Sequence, residues 1–223
     1  MRNEALLSSL DRKIAEHHLL KHPFYQEWSK GTLSRETLAL YATQYYHHVL
    51  AFPVYLRCLA AHAEPRLRVL TEMNLAEEMD PRGPHPALWR RFAKALGVTA
   101  EILDTAEPLP AIRSLVGTYR HLAETASPEE AVAALYAYEA QVPEISTEKR
   151  RGLEEFYGLT DAKSVAYFSV HEEADVRHRA AWRDWLGTRP DKCNGKMVTA
   201  AERGLLALWG ALDAVHAYRP AVN

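Results

Sequence analysis

Cysteine is nearly absent from this chain: Cys58 and Cys193 are the only two in 223 residues. Two thiols cannot build a disulfide framework, nor can they make a thiolate cluster for zinc. They fit a reducing compartment, and the cytoplasm is the expected location. Long apolar runs are also missing. No stretch approaches the roughly 20 residues that span a bilayer, and the N-terminal MRNEALLSSLDRKIAEHH is amphipathic and acid-containing, unlike a secretory signal. Neither sign of charge dominates, with 27 Lys+Arg against 29 Asp+Glu and a net charge of −2. That removes the electrostatic case for binding nucleic acid or an anionic membrane. Alternating strand patterns and internal repeats are lacking as well.

What remains is helix after helix. Residues 5–18 carry Leu6, Leu7, Leu10 and Ile14 at helical spacing. His22-Pro23 interrupts them, and Phe24, Tyr25 and Trp28 follow as an aromatic cluster closed by Gly31. Ser34 caps a long helix to about residue 63, which Pro53 should kink or split. Pro65 opens a segment to about residue 79, ended by the turn-rich DPRGPHP. A short helix over 86–96, a capped piece after Thr99 and a helix over 109–126 come next. Ser127-Pro128-Glu129-Glu130 is an N-terminal signature for a helix over 131–141 that continues, kinked at Pro143, to about 156. A helix over 161–187, a Gly/Pro/Asp linker over 187–195 and an apolar helix over 197–218 complete the chain. The expectation is an all-α bundle of seven or eight helices, one domain over residues 1–223.

The chemistry gathers in VAYFSVHEEADVRHRAAWRDW. His171, Asp175 and His178 fall at i, i+4 and i+7, one stripe of a helix. Two imidazoles and a carboxylate suit a first-row metal bound by nitrogen and oxygen. The plain alternative is a wet helix face, because Glu172, Glu173, Arg177 and Arg179 are interleaved. Other helices offer further acids. Glu139, in LYAYEAQVPEI, is embedded among apolar residues, and a carboxylate there needs a partner: a metal, or more ordinarily an arginine. Glu78 ends a helix seven residues before His85, with Glu77 competing for the same role. Glu78, His85, Glu139, His171, Asp175 and His178 are together enough for two metals in a bundle core. They do not form the Glu-x-x-His pairs of ferritin-like di-iron bundles. Hard oxygen and imidazole ligands point to iron or manganese with open positions for O2.

The segments EHHLLKHPFYQEWSKGTLS, YATQYYHHVLAFPVYL, ALYAYEAQVPEISTEKRRGLEEFYG and YFSVHEEADVRH closely resemble the CADD-like proteins. That family takes its name from a Chlamydia protein associating with death domains. It belongs to the heme-oxygenase-like group that also contains the TenA thiaminases and PqqC. The similarity spans roughly residues 8–185 and thins beyond Gly187. It implies a heme-oxygenase-like helical fold holding a dinuclear metal centre (Fe/Fe or Fe/Mn) rather than heme. The family's ligands fall on the same six residues, Glu78, His85, Glu139, His171, Asp175 and His178. The resemblance further implies oxygen-dependent formation of para-aminobenzoate for folate, with O2 as co-substrate and an external reductant. In that route the protein consumes its own side chains: Tyr25, of the family's HxFY motif, as the ring, and Lys149 as the amino donor. Tyr41 matches a second tyrosine near the metals. A homodimer is expected.

Ordinary readings compete. Tyr25, beside Phe24 and Trp28, is an aromatic anchor by base rate, and Lys149, in EKRR, is a solvated lysine. Lys149 also lies ten residues after Glu139, about 15 Å along an unbroken helix. His17, His18, His47, His48 and His62 belong to no constellation. One rival function is a conventional di-iron oxidase or oxygenase acting on a small diffusible substrate. Another is a non-enzymatic interaction protein, which leaves six metal-type ligands without a purpose. TenA-type chemistry would need a reactive cysteine late in the bundle, where only Cys193 lies, in a linker. PqqC-type oxidation needs no metal and a strongly basic pocket.

Overall fold

The computed structural model describes residues 2–218. Residue 1 and residues 219–223, which the expected 1–223 domain includes, lie outside the described residues. Every regular element described is helical. Eleven are α-helices: α1 (Glu4–Glu16), α2 (Pro23–Lys30), α3 (Arg35–His62), α4 (Pro65–Glu78), α5 (His85–Ala95), α6 (Ala100–Thr105), α7 (Pro110–Thr125), α8 (Pro128–Glu139), α9 (Val142–Tyr157), α10 (Ala162–Leu186) and α11 (Asn194–Ala217). Single 3-10 turns occupy Leu19–Lys21 and Asp191–Cys193. The all-α expectation stands, and the helix count exceeds the seven or eight expected. The aromatic cluster at 23–30 and the piece after Thr99 are helices in their own right, and the segment over 131–156 is two helices.

Local signals explain the boundaries. Asn3, Ser34, Thr99 and Asp161 each accept a hydrogen bond from a first-turn N–H, and Ser127 with Glu130 forms a reciprocal capping box. Pro53 does not split α3, which runs through it. Pro143 acts differently from expectation. α8 stops at Glu139, Ala140 and Gln141 turn the chain, and Pro143 sits in the first turn of α9, where its missing N–H is no loss. Gln141 holds the junction, accepting from Leu19 N at 2.8 Å and donating from Nε2 to Ala137 O at 2.8 Å.

α8 is the hub. Each residue from Ala131 to Glu139 is buried, as expected of a helix that is apolar all round, and α11, α10, α7 and α1 pack against it. α10 has two faces. His171, Ala174, Asp175, His178, Trp182 and Trp185 are buried while Glu173, Val176 and Arg177 are exposed, so the polar stripe faces α8, α5 and α4. α9 approaches α2 closely because residue 152 is glycine. A Cβ there would stand 2.7 Å from Trp28 Cδ1, and Trp28 Nε1 donates to the Lys149 carbonyl at 3.2 Å. Among the described residues no helix is long and apolar enough to cross a membrane.

Candidate active site

The six residues singled out in the sequence meet inside the bundle as two triads. Glu78, His85 and His171 form one; Glu139, Asp175 and His178 form the other. Within each, the candidate ligand atoms lie within 4.8 Å of one another, and all six side chains are buried. α10 supplies three of them from one stripe, α8 presents Glu139 at its last residue, and the α4–α5 turn brings Glu78 and His85 face to face. The competition between neighbouring glutamates is resolved by burial: Glu78 turns inward, while half-exposed Glu77 pairs with Arg177 at 2.8 Å.

Charge is the outstanding feature of this cluster. Three carboxyl groups and three imidazoles share a buried space that holds no arginine or lysine partner for Glu139 or Asp175. Burial raises the Glu139 carboxyl to a pKa of about 8. Burial and then the Glu78 carboxylate push Asp175 well above the ordinary carboxylate range. His171 is driven well below its ordinary value by burial and then by His85. At His85 burial acts downward, but the adjacent Glu78 carboxylate outweighs it and raises the pKa.

The hydrogen bonds orient the ligand atoms. His171 Nδ1 lies 2.6 Å from the Tyr167 carbonyl. A carbonyl only accepts, so Nδ1 carries the proton and Nε2 keeps its lone pair. Glu139 accepts from Asn74 Nδ2 at 2.9 Å and from Trp182 Nε1. Asp175 Oδ2, His178 Nε2 and His85 Nδ1 are buried without a hydrogen bond of proper geometry. His178 Nε2 is nonetheless 3.4 Å from Glu77 Oε2, and His85 Nδ1 is 2.9 Å from Glu78 Oε2. Two atoms so close yet off the hydrogen-bonding direction are arranged like ligands converging on a common point. A pair of divalent cations would satisfy these orphaned atoms and offset the three carboxylates, so the residues fit a dinuclear site with nitrogen and oxygen ligands. A cavity of about 10 Å³ lies among them, lined by Glu78, Glu139, His171 and Asp175 together with His48, Tyr138 and Tyr167. It has room for about one water-sized molecule.

Lys149 overturns its ordinary reading. It is 5% exposed, not solvated. The break between α8 and α9 also removes the straight-helix separation from Glu139 that counted against it. Its Nζ donates to Tyr41 Oη at 2.6 Å, and Tyr41 Oη is 3.4 Å from Tyr25 Oη. The rings of Tyr25, Tyr41, Tyr45, Trp89 and Phe168 surround the ammonium at 5.0–5.9 Å. Burial in this cage lowers the Lys149 pKa to about 7, and burial likewise raises Tyr25 and Tyr41 above the ordinary phenol value. Tyr25 and Tyr41 do not line the cavity. A run of ring contacts joins the two regions: His171 to Tyr167 at 4.2 Å, Tyr167 to Trp89 at 4.7 Å, and Trp89 to Tyr41 at 5.8 Å.

Several participants were not singled out in the sequence. Tyr167 and Trp182 extend the α10 stripe by four residues at each end, and Asn74 precedes Glu78 by four on α4, so the same helical spacing points to them. Tyr138, adjacent to Glu139 on α8, and His48, brought in on α3, carry no such signal.

Residues 39–209 match the family model of iron-containing redox enzymes. The 4-aminobenzoate synthase of Chlamydia muridarum is 39% identical over 208 residues, covering 93% of this chain and 88% of the relative. The 4-aminobenzoate synthase of Nitrosomonas europaea is 37% identical over 229 residues, covering 97% and 93%. Among solved structures, a domain of unknown function with a heme oxygenase-like fold from Shewanella denitrificans superposes with a TM-score of 0.81 at 20% identity, covering 94% of this chain and 91% of that one. The bundle is therefore heme-oxygenase-like.

Proposed function

The chain belongs to the family of iron-containing redox enzymes and, within it, to the CADD-like group, and from that premise we propose that it forms 4-aminobenzoate oxidatively, Tyr25 supplying the ring and Lys149 the nitrogen. The observation that carries this reading is the buried contact of Lys149 Nζ with Tyr41, itself beside Tyr25. Relatives named 4-aminobenzoate synthase support the product.

Iron, or iron with manganese, held by Glu78, His85 and His171 and by Glu139, Asp175 and His178, would when bound supply activation of dioxygen, with electrons from an external reductant. The remaining work falls to side chains. A tyrosine side chain already contains the seven carbons of 4-aminobenzoate, six in the ring and one at Cβ. Three changes separate the two. The Cα–Cβ bond breaks, Cβ is oxidised to a carboxylate, and the para C–O bond is replaced by C–N. The first two are oxidations with dioxygen as the oxidant. The third needs a nitrogen nucleophile to attack the oxidised ring: Nζ replaces the para oxygen, which leaves as water. The Cε–Nζ bond of Lys149 then breaks by a further oxidation to the imine, again with dioxygen as the oxidant, and hydrolysis that leaves Cε as an aldehyde. An amine attacks only when unprotonated. With its pKa near 7, Lys149 holds a large free-amine fraction at neutral pH, which a solvated lysine does not. The rings running from Tyr41 through Trp89 and Tyr167 to His171 give an electron leaving the tyrosine pair a route of near contacts.

The cavity size supports a protein-derived substrate over a diffusible one. Organic ligands occupy pockets of about 300–1,000 Å³, whereas the interior space lined by Glu78, Glu139, His171 and Asp175 is about 10 Å³. It admits dioxygen or water and not an aromatic acid. The test is product formation from reduced, metal-loaded protein and O2 without any organic substrate. We expect at most about one 4-aminobenzoate per chain, and none from Tyr25→Phe. Normal product from Tyr25→Phe would remove that tyrosine as the ring source, and sustained turnover would favour a conventional oxidase.

A further inference from the structure

His48 lies in α3, away from every ligand stripe, yet its side chain lines the small cavity beside Glu139, Asp175, His171 and Glu78. It is 1% exposed. Aromatic rings hold the imidazole on several sides, with Tyr45, Tyr138 and Tyr119 centroids at 5.2–5.4 Å and Tyr55 at 5.7 Å. One ring nitrogen, Nδ1, lies 3.4 Å from Tyr55 Oη. The other, Nε2, is buried and has no hydrogen-bond partner in the protein. A phenylalanine would fill the same aromatic box without leaving a buried polar atom unsatisfied, and such atoms are costly enough that native proteins pair nearly all of them. Tyr55 does not line the cavity, so Nε2 is the polar atom that His48 has left to offer there. The space has room for about one water-sized molecule.

We propose that His48 is the hydrogen-bonding residue of the reaction cavity, its Nε2 holding and orienting the single small molecule that sits beside Glu78, Glu139, His171 and Asp175: water at rest, dioxygen in turnover. This rests on the cavity being the dioxygen site of the reading above. The imidazole is neutral, because burial alone drives its pKa down to about 3. It therefore has one N–H and one lone pair to give. When Tyr55 Oη donates to Nδ1, Nε2 carries the hydrogen and presents a donor to an oxygen atom in the cavity. A neutral donor of this kind orients a small oxygen species without adding charge to a cluster whose cationic charge must go to the metals.

The experiment has two arms. The first is a high-resolution crystal structure of the metal-free protein, in which we expect an ordered molecule within about 3 Å of His48 Nε2. A cavity with nothing bonded to Nε2, or an Nε2 bonded to a protein atom, overturns the proposal. The second loads wild type, His48→Phe and His48→Gln with cobalt(II) and titrates azide, a small probe of the cavity, followed by the cobalt absorption bands. We expect all three to take up the same cobalt. Azide affinity should fall at least fivefold in His48→Phe and recover in His48→Gln, which keeps a donor. Equal azide affinity in the three proteins overturns the proposal. Failure of wild type to take up cobalt would instead contradict the ligand assignment, a separate outcome. If His48→Phe does not fold, the wild-type crystal structure still decides.

Discussion

Two polar regions are buried in this bundle, a few ring contacts apart, and they solve opposite problems. The six-residue cluster has an excess of ligand atoms and carboxyl groups with too few partners: Asp175 Oδ2, His178 Nε2 and His85 Nδ1 make no hydrogen bond. The cage around Lys149 contains a cation and no carboxylate, only rings and the Tyr41 hydroxyl. Burial pushes the Glu139 pKa up to about 8 and the Lys149 pKa down to about 7. Each region disfavours its own charge, but the remedies differ. On the function proposed above, the first would be completed by cations from outside, and the second would shed a proton and act as a nucleophile. A simple core would have paired Lys149 with Glu139. Keeping them apart leaves a metal-ready site beside a free amine.

The ligand cluster gives the largest expected effect. His171→Ala or Glu139→Gln should lose at least one of two metals per chain by elemental analysis, and product with it, while Lys149→Met keeps both metals and still makes no product. If Lys149→Met also lost metal, the two regions would not be independent.

The lysine sharpens the contrast through pH. Its folded pKa lies below the ordinary value of 10.5, so between about pH 7 and 10.5 the unfolded chain binds more protons. Stability therefore climbs as pH rises through that window. Below pH 7 the burial cost is fully present, on the order of 3–5 kcal/mol. Chemical denaturation of Lys149→Met should show higher stability at pH 7 and a flatter profile up to pH 10; an unchanged slope would mean that the amine is not desolvated.

Glu139 has the opposite sign in the metal-free protein. With its pKa raised to about 8 from the ordinary 4.5, the folded state binds the extra proton between those values. The metal-free protein should therefore lose stability as pH rises from 4.5 to 8. Metal binding near pH 6.5 should release about one proton or more, read by calorimetry in buffers of different ionisation heat. No release would contradict a carboxyl held protonated in wait for a cation.

Smaller effects probe the scaffolding of each region. Gly152→Ala sets a methyl group against Trp28 and should cost about 1–3 kcal/mol in denaturation, cutting product formation while leaving metal content intact. Trp182→Phe removes a donor to Glu139 and should weaken metal binding by about 10–100-fold, with the Lys149 pH profile unchanged. Crossed results, with Gly152→Ala losing metal or Trp182→Phe altering the lysine, would merge the two regions into one network.

The ligand cluster was far more legible in the sequence than the cage. His171, Asp175 and His178 show themselves because one helix spaces them, and Glu139 because a lone acid in an apolar run is conspicuous. Glu78 and His85 were weak on spacing alone, since a turn separates them; the resemblance singled them out. The environment of Lys149 could not be read locally. EKRR looks like a solvated segment, and the rings that enclose the lysine come from α2, α3, α5 and α10. Its approach depends on two features that periodicity misses: the helix break at Ala140-Gln141, where a single kinked helix was expected, and the close α2–α9 contact at Gly152. His48 was invisible for the same reason, because the cavity it lines is assembled from four helices.

The central claim, that Tyr25 and Lys149 are the material of the product, is tested most directly by intact and peptide mass of metal-loaded protein before and after reduction and exposure to O2. The account predicts about two metals per chain. It also predicts an O2-dependent loss of the side chain at Tyr25 and of nitrogen at Lys149, matched by up to one 4-aminobenzoate per chain. A chain of unchanged mass that still carries two metals and forms product would contradict it.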